Sequence, residues 1–209
     1  MNKLFYFLIS LTLSGCASTR MANEAVAPVD IRIIGINDFH GALDPPKATT
    51  EVTNAAGAKV RIPSGGVAYL ASAIDSLKAD APNNVVVAAG DLIGASPLSS
   101  SLFLDEPSIM AMGMVGLEFN AVGNHEFDRG TDELLRMQSG GCEKFTQSEP
   151  CRIEKPFSGA KFRMLAANTK KADGSTLFPP FALKNFGKGK AQVTVGFIGM
   201  TLEGTANLV

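Results

Sequence analysis

Two aliphatic, β-branched runs, Ile31–Ile36 and Val85–Ala89, are apolar on odd and even positions alike, and each runs straight into a polar cluster flanked by glycine. A strand that is apolar on both parities has to be covered on both faces, as in a sheet held between other layers. Asn37-Asp38-Phe39-His40-Gly41 follows the first run and Gly90-Asp91 the second. A shorter run, Asn120–Val122, delivers a third cluster, Gly123-Asn124-His125-Glu126-Phe127-Asp128. Fold and site are constrained together, because in α/β sheets the loops at the strands' carboxyl ends converge on one crevice while the sheet holds them rigidly. Both histidines of the chain fall in these clusters.

Between the strands, Val67, Leu70, Ala71, Ile74 and Leu77 recur at helical spacing after Gly65-Gly66. Pro107 suits a first helical position ahead of an apolar helix over Ile109–Leu117, and Thr131 with Asp132 and Glu133 opens a further helix at the end where acids suit the dipole. Phe162–Ala167, Phe181–Phe186 and Gln192–Met200 read as later strands, the last two separated by the Gly187–Lys190 turn. The order is that of an α/β fold. With 209 residues and 45% hydrophobic content the chain can bury a core. Its net charge of −1, from 19 basic and 20 acidic residues, offers no basic groove, so no nucleic-acid polymer is expected as a partner.

The first residues read as an address. Lys3 supplies a basic start and Leu4–Leu13 an apolar core, closed by Leu13-Ser14-Gly15-Cys16. That stretch is short for a membrane span, which needs roughly 20 apolar residues. Leu-x-Gly-Cys resembles the bacterial lipobox, so residues 1–16 are expected to be a signal peptide whose Cys16 is lipidated. An ordinary cleaved signal or a buried cysteine is the alternative. Residues 17–28 then form a linker, and the product is an exported bacterial lipoprotein, periplasmic or in the outer membrane, tied to the membrane by its lipid. In that oxidising setting Cys142 and Cys151, nine positions apart, are expected to form a disulfide. Two thiols with no neighbouring histidine are too few for a closed zinc site.

The clusters carry metal chemistry in combination. Asp38 with His40 is a borderline donor set suited to zinc, manganese or iron, although alone it equally describes a capping aspartate and a hydrogen-bonded histidine. Asp91, after a glycine that lets backbone approach closely, can bridge two ions. Asn124 can ligate through its amide oxygen. His125, oriented by Asp128, can donate a proton or stabilise charge on a transferring phosphoryl group. Glu126 is read as support for its loop.

In this order and on these strand ends, the three motifs resemble the metallophosphoesterase domain of the bacterial 5'-nucleotidase family, which includes periplasmic UDP-sugar hydrolases. The resemblance runs over residues 29–209. It implies a layered sandwich of two mixed β-sheets flanked by helices, incomplete at its C-terminal end, and a phosphomonoesterase acting on extracytoplasmic nucleotides in catabolism and salvage. It also implies two divalent ions, zinc, manganese or similar: Asp38 and His40 on the first, Asp91 bridging, Asn124 on the second, and His125 with Asp128 as the catalytic pair. Family members add a lone His, a His-x-His and a C-terminal nucleotide-binding domain. With only two histidines present, the chain is expected to be an N-terminal fragment, nearly inactive as given. Alternatives are a relative acting on UDP-sugars, 2',3'-cyclic nucleotides or sulfur-bonded conjugates, and a non-enzymatic surface lipoprotein that keeps the fold.

Overall fold

The computed structural model describes residues 26–47 and 49–209. The signal segment, Cys16 and residues 17–25 of the linker lie outside the described residues. Four parallel strands form the central sheet in the order β1-β4-β5-β6: β1 is Arg32–Ile36, β4 Asn84–Ala88, β5 Phe119–Ala121 and β6 Arg163–Leu165. A hairpin, β2 (Thr49–Thr53) with β3 (Lys59–Pro63), and helix α1 (Val67–Lys78) link β1 to β4. Helices α2 (Leu98–Ser101) and α3 (Glu106–Met114) link β4 to β5, and α4 (Thr131–Ser139) precedes β6. A second hairpin pairs β7 (Phe181–Phe186) with β8 (Val193–Ile198).

The apolar runs explain the layering. Val85 and Val86 are adjacent on β4 and both fully buried, yet they join different clusters. Val86 packs with Ile74, Met112, Leu134 and Met164 on the helical side. Val85 packs with Phe119, Leu165, Ala182 and Phe186 beneath the β7–β8 hairpin. Each such side chain contributes on the order of 1.5 to 3 kcal/mol when removed from water, which is why β4 settles between two layers. Strand β1, although apolar on both parities, is the edge strand and is covered chiefly on one face, with Ile34 buried and Ile33 exposed.

The α/β class, with layered sheets and flanking helices, is the one expected. The larger sheet is parallel throughout, and the second layer is an antiparallel hairpin, because the short turn from β7 to β8 permits only antiparallel pairing. The third helix stops at Met114, short of Leu117. There Gly116 takes φ 82° and the Gly116 and Leu117 amides bond back to Gly113 and Met112, a Schellman closure. Strand β6 is also shorter than expected. At Ala166 and Ala167 the backbone changes partner, bonding Pro179 and Gly199.

Cys142 and Cys151 are joined by a disulfide with Cα atoms 5.5 Å apart. It staples the segment after α4 beside a buried network in which Arg136 bonds Glu133, Glu106 and the Gly141 carbonyl, and Glu106 also accepts the Cys151 amide. Among the described residues no helix is long and apolar enough to cross a membrane.

Candidate metal centre

The three clusters fall just beyond the carboxyl ends of β1, β4 and β5, which are neighbours in the sheet. The parallel pairing of β1 and β4 continues past the strands as backbone bonds from Asp38 to Gly90 (3.2 Å), His40 to Asp91 (2.9 Å) and Gly41 to Leu92 (3.0 Å). The loops therefore leave the sheet zipped together. Asp38, His40 and Asp91 all have positive φ, 50°, 45° and 52°, a left-handed geometry that non-glycine residues seldom adopt. Asp38 and His40 thus do not continue as a strand with a shared face. Their side chains are aimed by two consecutive tight turns instead. Three such residues in contacting loops are the kind of local strain that accumulates at functional sites.

Glycine allows the second approach. Gly90 has φ 93°, and a Cβ there would lie 2.5 Å from the Gly123 amide nitrogen. A side chain on Gly123 would in turn overlap the Asp91 carboxylate. The β4 and β5 loops touch through bare backbone. Buried Asn120 on β5 accepts the Gly90 amide at 3.1 Å.

What converges is His40, Asp91 and His125, whose donor atoms all lie within 4.8 Å of one another. Each histidine has its second nitrogen engaged. His40 Nδ1 donates to the Gly94 carbonyl at 2.9 Å, and His125 Nδ1 bonds Asp128 at 2.9 Å. His40 Nε2 is thereby left as a lone-pair donor, the arrangement that orients metal-binding imidazoles, and His125 Nε2 stays free of the bond to Asp128. The rings meet edge to face with centroids 5.0 Å apart. Hydrogen bonding to Asp128 raises the His125 pKa above the ordinary value. Partial burial opposes this, and the charges of Asp128, Asp91 and Glu126 reinforce it.

Asp38 stands beside this group, with Oδ1 3.9 Å from His40 Nε2 and Oδ2 accepting from the side-chain Nδ2 of Asn37. Its side chain is 58% exposed, so it stays on the open side of the site. Asn124 begins the single-turn helix His125–Phe127, where its carbonyl accepts the Phe127 amide. The group has a carboxylate, two imidazoles and an open side, a donor set that fits a borderline divalent cation such as zinc or manganese.

Sequence reasoning did not anticipate Asn120 or the Gly94 carbonyl, whose roles depend on tertiary contacts. Nor did it single out Arg129, which bonds the fully buried Asp105 at 2.5 Å and fastens the chain after Asp128 to the start of α3. A cleft of about 1170 Å³ opens beside Asp128, lined also by Asn168, Lys170, Thr201 and Thr205.

The profile of the calcineurin-like phosphoesterases matches residues 31–178, and the chain belongs to that family. Its hydrolases act on phosphoester bonds with divalent metals, in keeping with the donors gathered here. An uncharacterised protein in the pqq-V 5' region of Acinetobacter calcoaceticus is 56% identical over 161 residues, covering 75% of this chain and 79% of that protein. Endonuclease YhcR of Bacillus subtilis is 35% identical across 100% of this chain, which spans 16% of its length. Among solved structures, the 5'-nucleotidase precursor of Thermus thermophilus is similar at 25% identity and TM-score 0.57, over 84% of this chain and 29% of that one. The chain therefore spans most of the first protein and under a third of each of the other two.

Proposed function

We propose that the protein hydrolyses phosphomonoesters of nucleotides outside the cytoplasm, in the manner of a 5'-nucleotidase. The observation that carries this reading is the convergence of His40, Asp91 and His125 on three adjacent strand ends, with His125 backed by Asp128. Asp38 and His40 would hold one divalent ion and Asn124 a second, with Asp91 shared between them. When bound, such a pair supplies Lewis acidity and a water activated for in-line attack.

The chain's own residues do the rest. Asp128 engages Nδ1 of the His125 ring and leaves Nε2 free to stabilise charge on the phosphoryl oxygens or protonate the departing alkoxide. The bond to Asp128 favours the protonated ring that this role requires. His125 also stands close enough to Asp91 and His40 to serve as a ligand, so its role is decided by function and not by distance. The endonuclease relative splits phosphate esters within a polymer; the net charge of −1 favours a small nucleotide here.

The test is phosphate release from AMP and cleavage of bis(p-nitrophenyl) phosphate, with manganese or with chelator. Manganese-dependent release from AMP, absent in Asp91→Ala, is expected. Preference for the diester would favour the endonuclease-like substrate. No metal-dependent release at all would favour a non-enzymatic protein that retains the fold.

A further inference from the structure

Glu126 is the one carboxyl side chain at the site that is buried and given no part in the chemistry above. It is 3% exposed and reaches between two loops far apart in sequence. Its Oε2 accepts the Asp91 amide at 2.9 Å and the Gly123 amide at 2.7 Å, while Oε1 accepts the Leu92 amide at 2.9 Å. One carboxylate thus ties the loop carrying Asp91 to the loop carrying Asn124 and His125.

The chemistry of the cradle selects a carboxylate. Three N–H groups converge on it, and only a side chain that accepts through both oxygens satisfies all three. A glutamine would set its own NH₂ against one of those amides. An aspartate would be one methylene too short to reach both loops. The amides of Asp91 and Leu92 can point inward because Asp91 is in the left-handed conformation, so the same contact holds the turn that aims the Asp91 side chain. A reciprocal bond closes the clasp, since Asp91 Oδ1 accepts the His125 amide at 3.1 Å.

We propose that Glu126 is a positioning residue for the metal centre: its carboxylate fixes the separation of the Asp91 loop from the Asn124–His125 turn, so that the donors are arranged before a cation arrives. The inference rests on the metal-site reading above. Both carboxylate oxygens already face amides, which sets Glu126 apart from the donor group of His40, Asp91 and His125.

The experiment uses the whole chain, stripped of metal, with Glu126→Gln and Glu126→Asp as variants. Manganese binding is followed by calorimetry, and exchange of the Asp91, Leu92 and Gly123 amides by NMR. In the wild type these amides should exchange slowly, most tellingly those of the half-buried Asp91 and Gly123. Both variants should bind manganese about 10- to 100-fold more weakly, the range found when groups supporting metal ligands are removed. Unchanged manganese affinity in a folded variant, whatever its melting temperature, overturns the proposal. Fast exchange of the three amides in the wild type overturns it too, and that measurement decides even if neither variant folds. Absence of manganese uptake by the wild type would remove the metal-site reading and this inference with it. Uptake that the variants leave unaltered would remove only the role of Glu126.

Discussion

Replacing Arg136 by methionine should be among the most damaging single changes outside the metal centre. Its guanidinium lies between two carboxylates, bonding Glu133 at 2.9 and 2.6 Å and Glu106 at 2.7 Å. All three side chains are at most 3% exposed. Charge-assisted bonds contribute about 1.5 to 3 kcal/mol each, yet their sum overstates the pair, because burying the charges opposes it. The governing quantity is the state left behind, in which two carboxylates stay buried with no cation. Removing one partner of a buried pair costs about 3 to 5 kcal/mol. For a domain of this size, about 2 to 4 °C per kcal/mol converts this to a loss of about 6 to 20 °C in Tm. Urea denaturation at neutral pH measures it directly. A triple variant, Arg136→Met with Glu133→Leu and Glu106→Gln, should recover at least half of the loss, since glutamine still accepts the Cys151 amide that Glu106 now holds. A loss under about 1 kcal/mol for Arg136→Met would refute the reasoning, because it would mean that the carboxylates reach water or protons at little cost.

Reducing the Cys142–Cys151 bond should destabilise the protein by about 2.5 kcal/mol, the chain-entropy value for so short a loop, read from urea midpoints with and without reductant; coincident curves would count against it. His125→Ala should lower kcat about 10²- to 10⁴-fold while metal content stays nearly intact, whereas Asp91→Ala should lose both; equal metal loss in the two variants would make His125 a ligand. If Cys16 carries a lipid, Cys16→Ala should move the protein from membrane to soluble fractions, and unchanged fractionation would count against that lipid. Burial would raise the Asp105 pKa, but bonds from Ser100, Arg129 and Ser96 and the Arg129 charge hold it below the ordinary value. Its stabilisation is therefore full above about pH 3.9, the unfolded value, and is lost as pH falls through the lower folded one, so Asp105→Asn should flatten the acid limb of a stability–pH profile.

Most of the site-bearing frame was legible because burial writes itself into residue type. The runs at Ile31–Ile36 and Val85–Ala89 place β1 and β4 to within a residue or so, and Phe181–Phe186 matches β7. The β2–β3 hairpin was not legible. Its strands are largely exposed Thr, Glu, Lys and Arg, and its clearest signals are Asn54, whose side chain caps the turn through the Ala56 and Ala58 amides, and Gly57. Where helices and strands stop was also hidden, since Gly116 ends α3 by a turn and Ala166 ends β6 by changing partners. At the site, residue types such as Asp, His and Asn announced donors, but which donors meet depends on backbone conformations that alternation rules do not encode.

That dependence explains why so small a sheet can build the site. Regular strands would send Asp38 and His40 to one face and Asp91 along its own strand, too far apart in direction to share an ion. The left-handed turns at Asp38, His40 and Asp91 redirect all three, and each such residue carries a strain of order 1 to 3 kcal/mol. The turns persist because backbone bonds between the β1 and β4 loops, the Gly90–Gly123 contact and the Glu126 carboxylate restrain the same few residues from different sides. Donors held this way need no rearrangement of the loops to meet a cation. Chelator treatment should therefore leave secondary structure intact, and a loss of helix on metal removal would show that the metal, and not the loops, holds these donors together.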